Sequence, residues 1–110
     1  MLFAHLVLNI LELLPTAVSL RKHLEKYGDW ALVAGGASGL GRAFCTLLLA
    51  SGKNVIIIDA NADELGKTCV ELESTFDHEV IPVALNLADR NAANEVMQHV
   101  EERNCRLLVY

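Results

Sequence analysis

Residues 30–41 read WALVAGGASGLG, and this stretch decides the fold. Residues 30–35 form a short apolar run that ends in glycine, which is typical of a strand buried on both faces of a sheet. Residues 39–51 then carry apolar side chains at helical spacing, namely Leu40, Phe44, Leu47 and Leu48. Gly52 follows as the C-terminal cap of this helix. The pattern predicts a buried strand, a glycine-rich turn and a helix in direct succession.

The alternation of strand and helix continues to the last residue. Residues 54–59 are rich in β-branched side chains and predict a second strand. Residues 79–85 predict a third strand, and residues 106–110 begin a fourth. A helix over residues 62–75 is indicated by its apolar face, formed by Leu65, Cys69, Leu72 and Phe76. A further helix, with Asp89 as its predicted N-cap, is marked by Ala92, Ala93, Val96, Met97 and Val100.

Strands that alternate with helices of this length predict right-handed crossovers and a parallel sheet. The fold class is therefore α/β: the N-terminal half of a Rossmann-type doubly wound parallel sheet, with strand order 3-2-1-4. Pro82 agrees with this order independently, because proline cannot donate to a strand ladder and therefore places the third strand at an edge of the sheet. A hydrophobic helix is predicted to precede this sheet.

Composition excludes several classes of protein. A chain of 110 residues has room for one small domain, and 53% hydrophobic residues with 21% charged residues exclude intrinsic disorder. The net charge is −5 and the longest basic cluster is Arg21-Lys22, so we expect no nucleic-acid partner. The cysteines and histidines show no metal-ligand spacing. We expect a cytoplasmic protein with reduced thiols and no metal site.

The N-terminal segment, residues 2–20, is strongly apolar. Its polar residues recur on one narrow helical stripe, formed by His5, Asn9, Glu12, Thr16 and Ser19. Pro15 should kink this helix. Glu12 lies near the centre of this helix, and inserting a charged side chain there into a membrane costs about 2.5–3.5 kcal/mol, which opposes a transmembrane span. Three alternatives stay open: a helix on a membrane surface or against a partner subunit, as in a homo-oligomer; a spanning anchor; and packing within the parent protein.

The glycine-rich turn pairs with an acidic residue further along the chain. Glycines at residues 35, 36, 39 and 41 let the backbone turn tightly and approach a pyrophosphate, which would lie on the amides that begin the helix. Asp59 lies 18 residues beyond Gly41, at the end of the second strand, where a carboxylate can accept hydrogen bonds from a ribose. The alternative is an empty turn with Asp59 as a solvated strand-end or helix-capping residue. The joint pattern favours dinucleotide binding.

The pattern Ala34-Gly35-x-x-x-Gly39-x-Gly41 resembles the Thr-Gly-x-x-x-Gly-x-Gly signature of short-chain dehydrogenases/reductases, with Ala34 in place of the usual threonine. Residues 27–32 look like the lead-in of the branch that contains hydroxysteroid dehydrogenases and 3-oxoacyl-CoA reductases. The resemblance covers residues 27–110. It divides the chain into a hydrophobic helical segment, 1–27, and an incomplete dinucleotide-binding domain, 28–110.

The resemblance implies a role for each part of the candidate site. The cofactor-binding positions are Gly35, Ser38, Gly39, Leu40, Gly41, Asp59, Asn86 and Leu87. Residues 38–40 would hold the pyrophosphate and Asp59 the ribose hydroxyls, while Asn86 and Leu87 would meet the adenine. Most relatives have aspartate at position 86, but an amide oxygen can still accept a hydrogen bond from the adenine amino group.

Charge favours NAD over NADP as the cofactor. An NADP enzyme needs a basic side chain near the 2′-phosphate, and the two usual positions hold the neutral Ser38 and Ala60. Asp59 would repel that phosphate. Arg42 is nearby, but its place in the first helical turn is typical of a solvated surface residue.

The resemblance also shows which chemistry these residues lack. Catalysis in the family uses a Tyr-x-x-x-Lys pair and a serine, whereas the tyrosines of this chain, Tyr27 and Tyr110, have no lysine four residues later. We therefore assign no catalytic residue and expect the 110 residues alone to be inactive. The parent enzyme would interconvert a hydroxyl and a ketone on a small or lipid-like substrate. The alternative is a non-catalytic nucleotide-binding or partner-binding module that ends naturally at Tyr110.

Overall fold

Four parallel strands form the sheet of this protein, and the computed structural model describes residues 21–110. The strands are β1 (Trp30–Ala34), β2 (Asn54–Asp59), β3 (Val80–Ala84) and β4 (Leu107–Val109), in the order β3-β2-β1-β4. The helices between them are α1 (Gly39–Ala50), α2 (Ala62–Thr75) and α3 (Ala92–Arg103), and residues 21–25 are also helical. The predicted fold class and strand order are confirmed.

Different helices cover the two faces of the sheet. Each helix contacts a different set of strand residues because successive side chains of a strand point to opposite faces. On one face, α1 and α2 pack through Cys45, Leu48, Leu49, Leu65, Cys69 and Leu72 against Ala31, Val33, Val55 and Ile57. On the other face, α3 places Val96 and Val100 against Leu32, Ile56 and Ile58. The central strands β1 and β2 are therefore buried on both sides. The apolar run of β1 predicted this burial for the first of them.

Pro82 lies where the sequence predicted it, in the outer strand β3. It stands opposite Ile57 of β2, and its side chain is exposed. The predicted C-cap of α1 is wrong by one residue: Ser51 is the C-cap, and Gly52 follows it with a φ of +93°. Pro82 marks an outer strand because it has no N–H to donate to a neighbouring strand, and Gly52 marks the end of a helix because glycine readily adopts a positive φ.

The predicted N-cap of α3 is wrong. The helix begins at Ala92 with Asn91 as its N-cap, and Asp89 lies in the preceding turn, where its carbonyl accepts a hydrogen bond from the amide of Ala92 at 3.1 Å. Asp89 thus contributes its backbone rather than its side chain to the start of the helix.

Residues 1–20, which include the predicted N-terminal helix, lie outside the described part of the chain. In residues 21–110, no helix combines the length and the apolar character that crossing a membrane requires.

Candidate dinucleotide-binding site

The turn between β1 and α1 crosses the carboxyl end of β2. The amide of Gly35 donates to the carbonyl oxygen of Ile58 at 2.7 Å, which ties the start of the turn to the neighbouring strand. Gly35 and Gly39 have φ values of +73° and +59°, which favour glycine. A Cβ atom at either position would meet nothing within 4 Å, so open space lies above the turn.

Two other glycines are required by close contact. A Cβ atom at Gly41 would lie 2.0 Å from the carbonyl oxygen of Gly35, so α1 begins directly against the backbone of the turn. A Cβ atom at Gly36 would lie 2.5 Å from Ile57 and 3.1 Å from the sulfur of Cys45. Burial raises the pKa of the Cys45 thiol to about 12. The floor beneath the turn is therefore apolar and uncharged at neutral pH.

The start of α1 presents groups that suit an anion. Ser38, Gly39 and Leu40 are exposed, and Leu40 keeps 74% of its surface accessible. Ser38 is the N-cap, yet its side chain makes no capping hydrogen bond, and the first turn of α1 contains no acidic residue. The first amides of a helix have no partner within the helix and carry its partial positive charge. The hydroxyl and the backbone of this turn thus fit a phosphate group.

Asp59 meets the glycine-rich turn directly. One oxygen of its carboxylate, Oδ2, accepts a hydrogen bond from the amide of Ala37 at 3.1 Å, and Oδ1 accepts one from the amide of Asn61 at 3.0 Å. The side chain is half-buried. The helix-capping alternative for Asp59 is wrong, since Asn61 is the N-cap of α2 and its side chain accepts from the amide of Glu64.

Asn86 and Leu87 follow β3 at the same edge of the sheet. The amide of Leu85 donates to the carbonyl oxygen of Asp59 at 3.0 Å, which brings the end of β3 beside the end of β2. The amide oxygen of Asn86 accepts from the amide of Ala88 at 3.0 Å, so one of its two lone pairs is used within its own turn. Leu87 lines an apolar cleft of about 350 Å³ together with Ala34 and other residues of β1, β2, α3 and β4.

Arg42 is held by another charged side chain. Its guanidinium donates to the carboxylate of Glu71 in α2, and both side chains are partly exposed. The sequence predicted a solvated residue at this position, and the structure adds an ion pair between two helices. In residues 21–110, no group of three His, Cys, Asp or Glu side chains could hold a metal ion.

Sequence reasoning missed Thr68 and Ala37. The hydroxyl of Thr68 is fully buried and donates to the carbonyl oxygen of Ala37 at 2.7 Å. The available signal was a polar side chain on the apolar face of α2, one turn after Leu65 and one turn before Leu72.

A parallel sheet in this order, with a glycine-rich turn after β1 and an acid at the end of β2, defines the Rossmann-type class of α/β proteins. Residues 29–109 match the short chain dehydrogenase family. The chain belongs to this family, as the glycine pattern indicated.

Curated relatives are consistent with the predicted branch. A 7beta-hydroxysteroid dehydrogenase of Collinsella aerofaciens is 30% identical over 86 residues, which cover 78% of this chain and 33% of the relative. The chain thus spans about a third of the length of such relatives. A very-long-chain 3-oxoacyl-CoA reductase, a protein named as similar to such reductases and an inactive hydroxysteroid dehydrogenase-like protein also match.

Solved structures share the fold. The structure of a 7beta-hydroxysteroid dehydrogenase has a TM-score of 0.66 and 32% identity, covering 71% of this chain and 30% of that one. A short chain dehydrogenase/reductase of Burkholderia phymatum, solved in complex with NAD, has a TM-score of 0.63 and 25% identity, covering 69% of this chain and 27% of that one.

Proposed function

We propose that residues 28–110 bind a dinucleotide, NAD in preference to NADP, as the cofactor-binding N-terminal part of an oxidoreductase. The observation that carries the proposal is the hydrogen bond from the amide of Ala37 to the carboxylate of Asp59. It joins the turn suited to phosphate and the acid suited to ribose, two features that stand 22 residues apart in sequence.

Each part of the cofactor has a candidate partner in the described residues. Residues 38–40 would hold the pyrophosphate through the exposed Ser38 hydroxyl and the first amides of α1. The carboxylate of Asp59 would accept hydrogen bonds from the ribose hydroxyls, for which it has lone pairs beyond the two already used. Leu87 and Asn86, at the neighbouring strand end, would contact the adenine. When bound, NAD supplies hydride transfer.

The charges around Asp59 support NAD rather than NADP. The 2′-phosphate of NADP would stand close to a carboxylate. The basic candidate in the first turn of α1, Arg42, already pairs with Glu71 and so is partly neutralised. Ser38 and Ala60 are uncharged.

The reaction of the parent enzyme would be the interconversion of a hydroxyl and a ketone on a small or lipid-like substrate. The names of the hydroxysteroid and 3-oxoacyl-CoA relatives support this substrate class. The 110 residues contain no Tyr-x-x-x-Lys pair, so we expect them to bind the cofactor without turning over a substrate. We place the protein in the cytoplasm, with residues 2–20 as a contact to a membrane surface or to a second subunit.

A non-catalytic nucleotide-binding or partner-binding module is the second candidate. One observation favours it: the match to a relative named as an inactive hydroxysteroid dehydrogenase-like protein. Both candidates use the same dinucleotide site, so binding must be tested first.

The test is a calorimetric titration of the chain with NAD and, separately, with NADP. We expect NAD to bind more tightly, and Asp59→Ala to raise its Kd by about tenfold or more because charge-assisted hydrogen bonds to the ribose are lost. Asp59→Ala should also narrow the preference for NAD over NADP. Asp77→Ala is the matched control, since Asp77 is an exposed acid that precedes β3, at the amino ends of the strands and so away from Asp59 at the carboxyl end of β2.

The dinucleotide proposal is wrong if folded chain binds neither cofactor, or if the Asp59 and Asp77 variants have the same affinity. Folding is checked by circular dichroism on each sample before titration.

A further inference from the structure

Ala37 is held by two side chains from different elements. Its amide donates to Asp59 at the end of β2, and its carbonyl oxygen accepts from the hydroxyl of Thr68 in α2 at 2.7 Å. Ala37 and Thr68 are both buried, with 1% and 0% of their surfaces accessible. Two successive peptide groups of the turn, 36–37 and 37–38, are therefore fixed in orientation.

The second of these peptide groups includes the amide of Ser38. In a planar trans peptide the carbonyl and the N–H point in opposite directions, and residues 21–110 contain no cis peptide. Because Thr68 draws the Ala37 carbonyl towards α2, the Ser38 amide is directed away from α2. Ser38 is exposed and is the N-cap of α1, at the place proposed for the pyrophosphate.

The bond made by Thr68 is unusual for a threonine within a helix, where the hydroxyl commonly bonds back to the carbonyl four residues earlier. Thr46 in α1 does this, donating to Arg42 at 3.1 Å. Thr68 instead reaches a residue 31 positions away.

We propose that Thr68 is a positioning residue for dinucleotide binding, which it controls through Ala37 by aiming the Ser38 amide at the pyrophosphate. This role rests on the proposed function, and it extends the site to a helix that would not contact the cofactor. Removal of the hydroxyl leaves the buried carbonyl of Ala37 without its partner and lets the 37–38 peptide rotate.

The test measures the Kd of the chain for NAD, for ADP and for adenosine, which shares the adenine and ribose of ADP but lacks the phosphates. Thr68→Val removes the hydroxyl and keeps nearly the same shape. We expect the Kd of this variant for NAD and for ADP to rise about tenfold, because that is the effect of losing one buried hydrogen bond. The Kd for adenosine should change less than twofold. Thr68→Ser keeps the hydroxyl and should restore most of the affinity for ADP.

Thr46→Val is the matched control because Thr46 is equally buried, with 1% accessible, and bonds only within its own helix. It should leave the ADP-to-adenosine ratio of Kd values unchanged. Thr68→Cys, with a weaker donor of similar size, is a second variant in case the valine chain does not fold, and it should also weaken ADP binding.

Absence of NAD binding by the unmodified chain would overturn the proposed function and the positioning role together. If the unmodified chain binds NAD but Thr68→Val and Thr46→Val have the same Kd values, the positioning role alone is overturned. The same conclusion would follow if adenosine lost as much affinity as ADP in Thr68→Val.

Discussion

Individual glycines of this chain are required for different physical reasons. Gly35 and Gly39 provide left-handed backbone conformations with open space around them, whereas Gly41 provides room for a backbone contact. Gly66 lies in the interior of α2, where a Cβ atom would meet nothing within 4 Å and φ is not positive. The same substitution should therefore have opposite effects at Gly41 and at Gly66.

Gly41→Ala should destabilise the chain by about 1–3 kcal/mol, because its Cβ atom would lie 2.0 Å from a backbone oxygen and the turn must move to admit it. Gly66→Ala should instead stabilise the chain by about 0.5–1 kcal/mol, because alanine has a lower backbone entropy than glycine in the unfolded state and so loses less on forming the helix. Urea denaturation with an unchanged m-value measures both. A stabilising effect at Gly41 would contradict the close contact described for this turn.

The N-cap side chain forms a capping hydrogen bond at the start of α2 but not at the start of α3. Asn61 accepts a hydrogen bond from the amide of Glu64 at 3.2 Å, whereas Asn91 makes no side-chain capping bond. Asn61→Ala should therefore cost about 1 kcal/mol of stability. Asn91→Ala should change it by less than about 0.5 kcal/mol. Thermal and urea unfolding of the two variants provide the comparison, and equal losses would mean that the two caps are equivalent.

The order and type of the elements could be predicted because their signals are local or periodic. Apolar runs predicted the central strands, apolar residues at helical spacing predicted the three helices, and Pro82 predicted that β3 is an outer strand. The N-cap of α3 could not be chosen correctly, because several residues from 86 to 91 can begin a helix in sequence and the turn geometry selects among them.

The candidate site was predicted in part for a similar reason. The glycines and Asp59 carry a recognisable spacing, and the parallel sheet brings them to one edge. The contact between Thr68 and Ala37 depends on how α2 packs against the turn, which no spacing encodes. Likewise, the pairing of Arg42 with Glu71 arises from the approach of α1 to α2.

At the scale of the whole molecule, apolar surface is concentrated around β4. Leu108 is 63% exposed in the middle of this strand, and Met97 is 51% exposed on α3. Together with Leu87 and Tyr110 they form an apolar surface, here called the β4 patch, which borders the cleft beside Ala34. An outer strand with apolar neighbours is a template for association with another chain.

The 110-residue chain should therefore self-associate through the β4 patch. Leu108→Lys places a charge in the middle of this patch and should reduce the weight-average sedimentation coefficient at a given protein concentration. Val70→Lys is the matched control: Val70 is 68% exposed on α2 and is not part of the patch. Both substitutions change the net charge from −5 to −4, so a general effect of charge would appear equally in both.

Neither substitution should change the free energy of unfolding by more than about 0.5 kcal/mol, because both side chains are largely exposed. A difference in association between the variants can then be assigned to the surface and not to unfolding. If Leu108→Lys and Val70→Lys sediment alike, the β4 patch is not the surface through which the chains associate. If only Leu108→Lys shifts towards the monomer, the exposed strand edge accounts for the association, as expected from the unpaired backbone groups of β4 and the apolar side chains beside them.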